Sequence, residues 1–319
     1  MKDSKELKMV KACKVITRGN IITLLNEESL DCKIKTVKDF SLAFPVAWKY
    51  FQGEGLSFYT GKDVEALSKW NKSEKCLIIV NTTLESFLSD GPFLFAAKPK
   101  LIFSILCRLF LENKPKTIHE SVIIHPEAVI GVNVNIEPYS VIGKCIIGDN
   151  CKIGPNVYIG DDVVLGNNVT ILSSTNIGNE GLNVTRDTEG KLIQMHHFGR
   201  VVIKDNAWIG SNADIQRGVL EDTLIGEGTH IGSRVQISHN CTIGRNVIMA
   251  SSVSIAGSSK IGDNVYIGTG AFIRDQIEIA KGCTIGAMAS VMQSIEKEDM
   301  TVMAPASKEI GKLFNWNKK

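Results

Sequence analysis

The sequence predicts a mostly β protein: a parallel β-solenoid of hexapeptide repeats, preceded by a small α/β domain and followed by a short C-terminal tail. Three observations carry this. From Ile225 an aliphatic residue recurs at every sixth position: Ile231, Ile237, Ile243, Met249, Ile255, Ile261, Ile267, Ile273, Ile279, Ile285 and Val291. An earlier run keeps the same beat through Ile124, Ile130, Ile136 and Ile142, slips by one, and resumes at Ile147, Ile153, Ile159, Leu165 and Ile171. Residues 1–115 lack the beat entirely.

A period of six matches neither a 3.6-residue helix nor a two-residue strand alternation. It fits a triangular prism in which three hexads close one coil, each aliphatic residue pointing inward. Coils then stack about 4.8 Å apart. The position after the aliphatic residue is usually small, as at Gly226, Gly232, Gly244 and Gly262, which is expected to let the chain turn the corner.

The elements follow in order. Gly19-Asn20-Ile21-Ile22 reads as a turn into a short helix, 76–80 as a buried strand, and 101–110 as an apolar helix after Pro99. These give an α/β domain over 1–115. The solenoid is expected over 116–296, interrupted between 172 and 201 by a stretch too long for a corner. A protruding loop is therefore expected at 173–200, and long loops in repeat domains usually carry function. A smaller slip falls at Gln216-Arg217-Gly218-Val219-Leu220, and 297–319 is a short tail with Phe314 and Trp316.

Composition excludes several classes. Hydrophobic residues are 44% and charged residues 22% of 319, which describes a packed globular chain and not a disordered one. The net charge of +2 gives no support to a nucleic-acid binder. The longest apolar stretch, 101–111, contains Arg108 and is too short to span a bilayer. The first six residues lack the apolar core of a secretory signal. Eight Cys without a CxxC pair, mostly in apolar runs, read as reduced, buried thiols. A cytoplasmic protein is expected.

Stacking arithmetic selects a site. With eighteen residues per coil, His239 lies below Gly257 and Asp275 and above Glu221, so that one edge would carry an imidazole, a glycine amide and two carboxylates. A neutral imidazole beside a free N–H suits acyl transfer to an amine. The base is worth typically about 10²–10⁴-fold, and an oxyanion donor about 3–4 kcal/mol.

Val235-Gln236-Ile237-Ser238-His239-Asn240, with Ile255-Ala256-Gly257-Ser258, resembles the UDP-3-O-acylglucosamine N-acyltransferases of lipid A biosynthesis, left-handed parallel β-helix enzymes. The likeness continues in Ile177-Gly178-Asn179-Glu180-Gly181, Gly199-Arg200-Val201-Val202-Ile203 and Arg217-Gly218. In the first domain Gly55-Leu56-Ser57-Phe58 looks like the family's uridine-pocket segment, and Lys98-Pro99 like its helix start. The resemblance implies His239 as general base, Gly257 as oxyanion N–H, and Phe58, Gln236, Asn240 and Gln276 as substrate contacts; His197, on the protruding loop, is a further expected contact, to the sugar phosphate. It implies a homotrimer, a nucleotide-linked amino sugar as acceptor, and acyl carrier protein or CoA as acyl donor. No bound cofactor or metal is implied.

Several positions depart from the family pattern. Gln216 replaces an acidic residue, and Gly232 replaces the Asp expected to orient the histidine. Gln276 replaces a second histidine, and Gly61 and Val64 replace an Asn and a Tyr of the nucleotide pocket. These departures leave two alternatives open: a short-chain acyl-CoA-dependent enzyme acting on a dTDP- or UDP-amino sugar for surface polysaccharide, and a non-catalytic solenoid scaffold.

Overall fold

The computed structural model describes residues 16–34, 40–42, 44–48, 51, 54–68, 75–88, 91–110 and 117–305. The chain forms two compact units, 1–114 and 115–319.

The first unit is built on a four-stranded sheet in the order Cys32–Ile34, Phe93–Ala96, Cys76–Asn81, Gly55–Phe58. Strand Cys76–Asn81 runs parallel to both of its neighbours and is buried from 76 to 80, as a strand covered on both faces must be. Leu77 and Ile79 face a cluster with Ile21 and Leu25 of α1 (Arg18–Glu27) and Ile102 and Leu106 of α3 (Pro99–Leu106). Cys76, Ile78 and Val80 face the other cluster, with Leu67 of α2 (Val64–Ser68), Phe93 and Phe95. The turn expected at Gly19-Asn20 is instead the first turn of α1. Thr17 caps it in a reciprocal box: its hydroxyl accepts the Asn20 N–H, and Asn20 Oδ1 accepts the Thr17 N–H at 2.9 Å.

The second unit is the solenoid. Its three faces are parallel sheets of nine, eight and nine strands. The eighteen-residue register holds wherever the beat is regular, as in Ile237↔Ile255, Ile255↔Ile273 and Ile243↔Ile261. Ile237, Ile255, Ile267 and Ile273 are fully buried along the prism axis. Truncating any of them to Ala would cost about 2–5 kcal/mol, because neighbouring coils cannot collapse into the gap.

The corners work differently from the expectation. The left-handed backbone falls three residues after the aliphatic position, at Asn150, Asn168, Asn212, Asn240, Asn246 and Asn264, all with φ between 53° and 60°. Asparagine tolerates that region. The small residue directly after the aliphatic one serves close stacking instead. A Cβ on Gly210 would lie 2.6 Å from the Gly232 carbonyl carbon, and one on Gly262 2.6 Å from the Lys281 nitrogen. Inside other corners a short hydroxyl or thiol donates to a carbonyl one coil on: Thr175 to Gly210, Thr229 to Gly244, Ser259 to Arg274 and Cys241 to Ala256. The described cysteines are free, and burial pushes the Cys145 and Cys241 thiols up to about 11.

The interruption begins later than 173. Strand Asn176–Asn179 stays in the prism, with Ile177 fully buried, and the chain leaves only at Glu180. The excursion carries an antiparallel hairpin, Val184–Arg186 with Leu192–Gln194, and rejoins at strand Val201–Ile203. Arg217 fastens both ends: its N–H donates to the Asn179 carbonyl and its Nε to the Gly199 carbonyl at 2.8 Å. Arg200 adds a fork to Asp222, with Nη2–Oδ2 at 2.7 Å. The solenoid also runs past 296, since Thr301–Val302 pairs with Thr284–Ile285. Residues 306–319, with Phe314 and Trp316, lie outside the described residues. No described helix is long and apolar enough to cross a membrane.

Candidate active site

His239 follows strand Gln236–Ile237 at a corner and is half-buried. Its Nδ1 lies 3.0 Å from Asn240 Oδ1. That oxygen is fixed as an acceptor, because it also takes the Val219 N–H at 3.0 Å while Asn240 Nδ2 donates to the Glu221 carbonyl at 3.3 Å. The proton of a neutral imidazole therefore sits on Nδ1 and leaves Nε2 with a lone pair, as a general base requires. Asn240, expected to face substrate, spends its amide on these three protein partners. It partners the imidazole as the Asp expected at position 232 would have done. The sequence marked Asn240 as a substrate contact and gave no sign that it partners the imidazole, since asparagine recurs at this corner where the backbone is left-handed.

Gly257 stacks directly above. A Cβ there would fall 2.7 Å from His239 Cε1 and 2.9 Å from Nε2, so only glycine leaves room for the imidazole. The Gly257 carbonyl accepts from the Gln276 N–H, while the Gly257 N–H makes no hydrogen bond among the described residues. An unpaired donor thus stands beside a basic nitrogen.

Below His239 the eighteen-residue register does not hold. The coil between strands Asp214–Gln216 and Gln236–Ile237 is lengthened by the slip, and Asp214 pairs with Gln236 instead of a residue eighteen on. Glu221 consequently belongs to the slip. It is exposed, and its carbonyl, not its carboxylate, meets Asn240. Asp275 does stack above Gly257 in register.

His197 returns from the excursion to the same place. It is only 3% exposed, so it does not face solvent from the loop. Its ring meets the His239 ring edge-on, with centroids 5.5 Å apart. Its Nδ1 lies 3.3 Å from the Gly181 nitrogen and 3.1 Å from the Arg217 carbonyl, so either tautomer is paired on that side. Its Nε2 is buried without a hydrogen-bond partner among the described residues. An orphaned buried ring nitrogen against the candidate base marks a place for a polar ligand group.

The remaining expected contacts have the following surroundings. Gln236 is exposed on the outer face of its sheet, where its Oε1 lies 3.4 Å from the Ser254 hydroxyl. Below it, Asp214 is held above the ordinary carboxylate range by burial, against hydrogen bonds from Gln216 and Asn179. Gln276 is an exposed corner residue whose Nε2 approaches Asp275 Oδ2 at 3.4 Å. Phe58, in the first unit, packs against Phe103 of α3 with ring centroids 4.8 Å apart. Among the described residues no three His, Cys, Asp or Glu side chains gather as a metal would need.

Stacked hexads, a corner histidine with an anchored Nδ1 and a free amide beside its Nε2 define an acyltransferase of the hexapeptide class. Residues 144–179, 222–257 and 258–292 match the bacterial transferase hexapeptide (six repeats) model. A UDP-3-O-acylglucosamine N-acyltransferase of Coxiella burnetii (strain Dugway 5J108-111) is 33% identical, over 84% of this chain and 81% of its own. One from Campylobacter lari is 35% identical over 69% and 73%. The chain belongs to the UDP-3-O-acylglucosamine N-acyltransferase family, with its left-handed parallel β-helix. Among solved structures, the UDP-N-acetylglucosamine acyltransferase of Campylobacter jejuni superimposes with a TM-score of 0.51 at 28% identity, covering 56% of this chain and 68% of that one. The UDP-N-acetylglucosamine O-acyltransferase of Moraxella catarrhalis RH4 shares the fold, with a TM-score of 0.53 at 22% identity over 59% and 71%.

Proposed function

We propose that this chain transfers a 3-hydroxyacyl group from a carrier thioester to the amine of UDP-3-O-acylglucosamine, with His239 as general base and the Gly257 N–H as oxyanion donor. The observation that carries the reading is the pairing of a lone pair on His239 Nε2 with the unpartnered Gly257 amide. The acceptor amine attacks the thioester carbonyl and His239 Nε2 takes its proton. The new C–N bond leaves a tetrahedral oxyanion facing Gly257 N–H. Collapse breaks the C–S bond, and the thiolate leaves with the proton returned from the imidazolium.

Family membership supports the acceptor and donor. Acyl carrier protein is the donor in this reading, CoA the poorer one. His197 Nε2 contributes a hydrogen bond to the acceptor, Gln236 lines the outer approach, and Phe58 stacks on the uracil. The enzyme works in the cytoplasm as a homotrimer near three times 34.9 kDa. Exposed Ile123, Val129, Ile146 and Ile248 on the prism faces support burial between protomers.

The test is direct. Purified enzyme is given UDP-3-O-acylglucosamine and thioesters of rising chain length on carrier protein and on CoA, and thiol release is followed. Affinity that climbs with chain length, at up to about 0.8 kcal/mol per CH₂, with carrier protein preferred and a His239→Ala loss of about a hundredfold or more, supports the reading. Equal use of acetyl-CoA would favour the surface-polysaccharide alternative, and no turnover with any thioester the scaffold alternative.

A further inference from the structure

The corner residue two places after the inward aliphatic follows a rule with one exception. Where that residue is Asp or Asn in a regular coil, its Oδ1 accepts the N–H of the residue one coil below. Asp149 takes Val132 at 2.8 Å, Asp161 takes Lys144 at 2.7 Å, Asn167 takes Asp149 at 2.8 Å, Asp205 takes Asn167 at 2.9 Å and Asp263 takes Arg245 at 2.7 Å. Asp275 occupies the same place above Gly257, in register through Ile255↔Ile273, and makes no such bond. Its carboxylate is turned along the edge, with Oδ2 3.4 Å from Gln276 Nε2 and Oδ1 3.6 Å from Arg274 Nε.

We infer that Gln276 and Arg274 are positioning residues that hold the Asp275 carboxylate off the Gly257 N–H and so keep that donor open for substrate. A carboxylate on a backbone N–H is a charge-assisted bond. Five corners of this prism form the cap, in four cases with a carboxylate, so the backbone geometry favours it. At Gly257 the same cap would occupy the oxyanion donor and place a negative charge where the transition state develops its own. The exposed amide of Gln276 and the guanidinium of Arg274 compete for the carboxylate and draw it sideways. Gln276, expected to touch substrate, acts through Asp275. This inference rests on the reading of Gly257 as oxyanion donor.

The test is a mutant cycle on the full-length enzyme with two readouts: kcat with UDP-3-O-acylglucosamine and acyl carrier thioester, and exchange of the Gly257 amide with solvent in isotope-labelled protein. Gln276→Ala, and independently Arg274→Ala, should slow Gly257 exchange and lower kcat about tenfold or more, with KM nearly unchanged. Adding Asp275→Ala should restore fast exchange and bring turnover to that of Asp275→Ala alone. A substrate-contact role for Gln276 predicts a loss that Asp275→Ala does not relieve, and that outcome overturns the inference. So does a Gly257 amide whose exchange ignores both single changes. If exchange slows as expected while turnover stays flat, the cap forms but Gly257 is not the oxyanion donor, and the reading of that residue fails instead.

Discussion

The hydrogen bond from His239 Nδ1 to Asn240 Oδ1, 3.0 Å long, joins two consecutive residues at one corner of the prism. Asn240 can reach its neighbour's ring because its backbone is left-handed, with φ 59°, and because Val219 and Glu221 clamp its amide from the slip. Asn240→Ala should lower kcat about ten- to a hundredfold through loss of imidazole orientation. It should also cost about 1–3 kcal/mol, since the buried Val219 N–H loses its acceptor. Asn240→Asp places a carboxylate on Nδ1 and favours the imidazolium. The acidic limb of the kcat/KM profile should therefore move to higher pH, and an unmoved limb would argue that His239 is not the titrating base.

Gly257→Ala puts a methyl group 2.7 Å from His239 Cε1. The ring must swing off its bond to Asn240. Thiol release should fall at least a hundredfold, about the value of a mispositioned base and donor together. Melting should shift far less than for a core truncation, because the methyl points to the edge and not into the prism.

His197→Asn keeps an amide near the position of Nδ1, able to meet Gly181 or Arg217, and deletes the orphaned Nε2. The protein should stay folded with a nearly unchanged melting temperature. KM for the acceptor should rise about three- to tenfold, the worth of one hydrogen bond, in steady-state kinetics at fixed donor. An unchanged KM would mean that no acceptor group reaches this nitrogen.

Asp214 carries a raised carboxyl, so folding opposes its ionised form. Its folded pKa lies above the unfolded one. The penalty is absent when both states are protonated, grows as pH rises from the unfolded value to the folded value, and is constant above. Asp214→Asn should therefore melt about 1–2 °C higher than wild type near pH 7, the difference shrinking toward pH 4 in parallel thermal scans. A constant difference would point to a cause other than ionisation.

The prism was legible because its signal is repeated and local: Ile231, Ile237 and Ile243 are buried for the same reason, and each instance reinforces the others. His239 and Gly257 could be paired from spacing because the coil between them is regular. Glu221 could not be placed, because the extra residues of the slip sit inside its coil and shift every register computed through it. His197 was named as a contact, but its burial against His239 was hidden for a similar reason. Its burial depends on how the excursion folds back, and a run such as Met195-His196-His197-Phe198 has no periodicity from which to read a direction. The role of the small residue after each aliphatic was misassigned because corner turning and close stacking both select glycine. Only the folded backbone separates φ from clearance.

The stacking of interchangeable coils sets how such a gene can change its length. Thr242 faces Lys260 and Lys260 faces Glu278, each step a whole circuit of the chain. Excising one full circuit from a regular stretch would bring the two cut coils into the same pairing that each already makes. A shorter change must instead be absorbed at one corner, as the one-residue slip before Ile147 is. Insertions and deletions that leave every pairing and every corner of a regular stretch unchanged are thus quantised in circuits of eighteen.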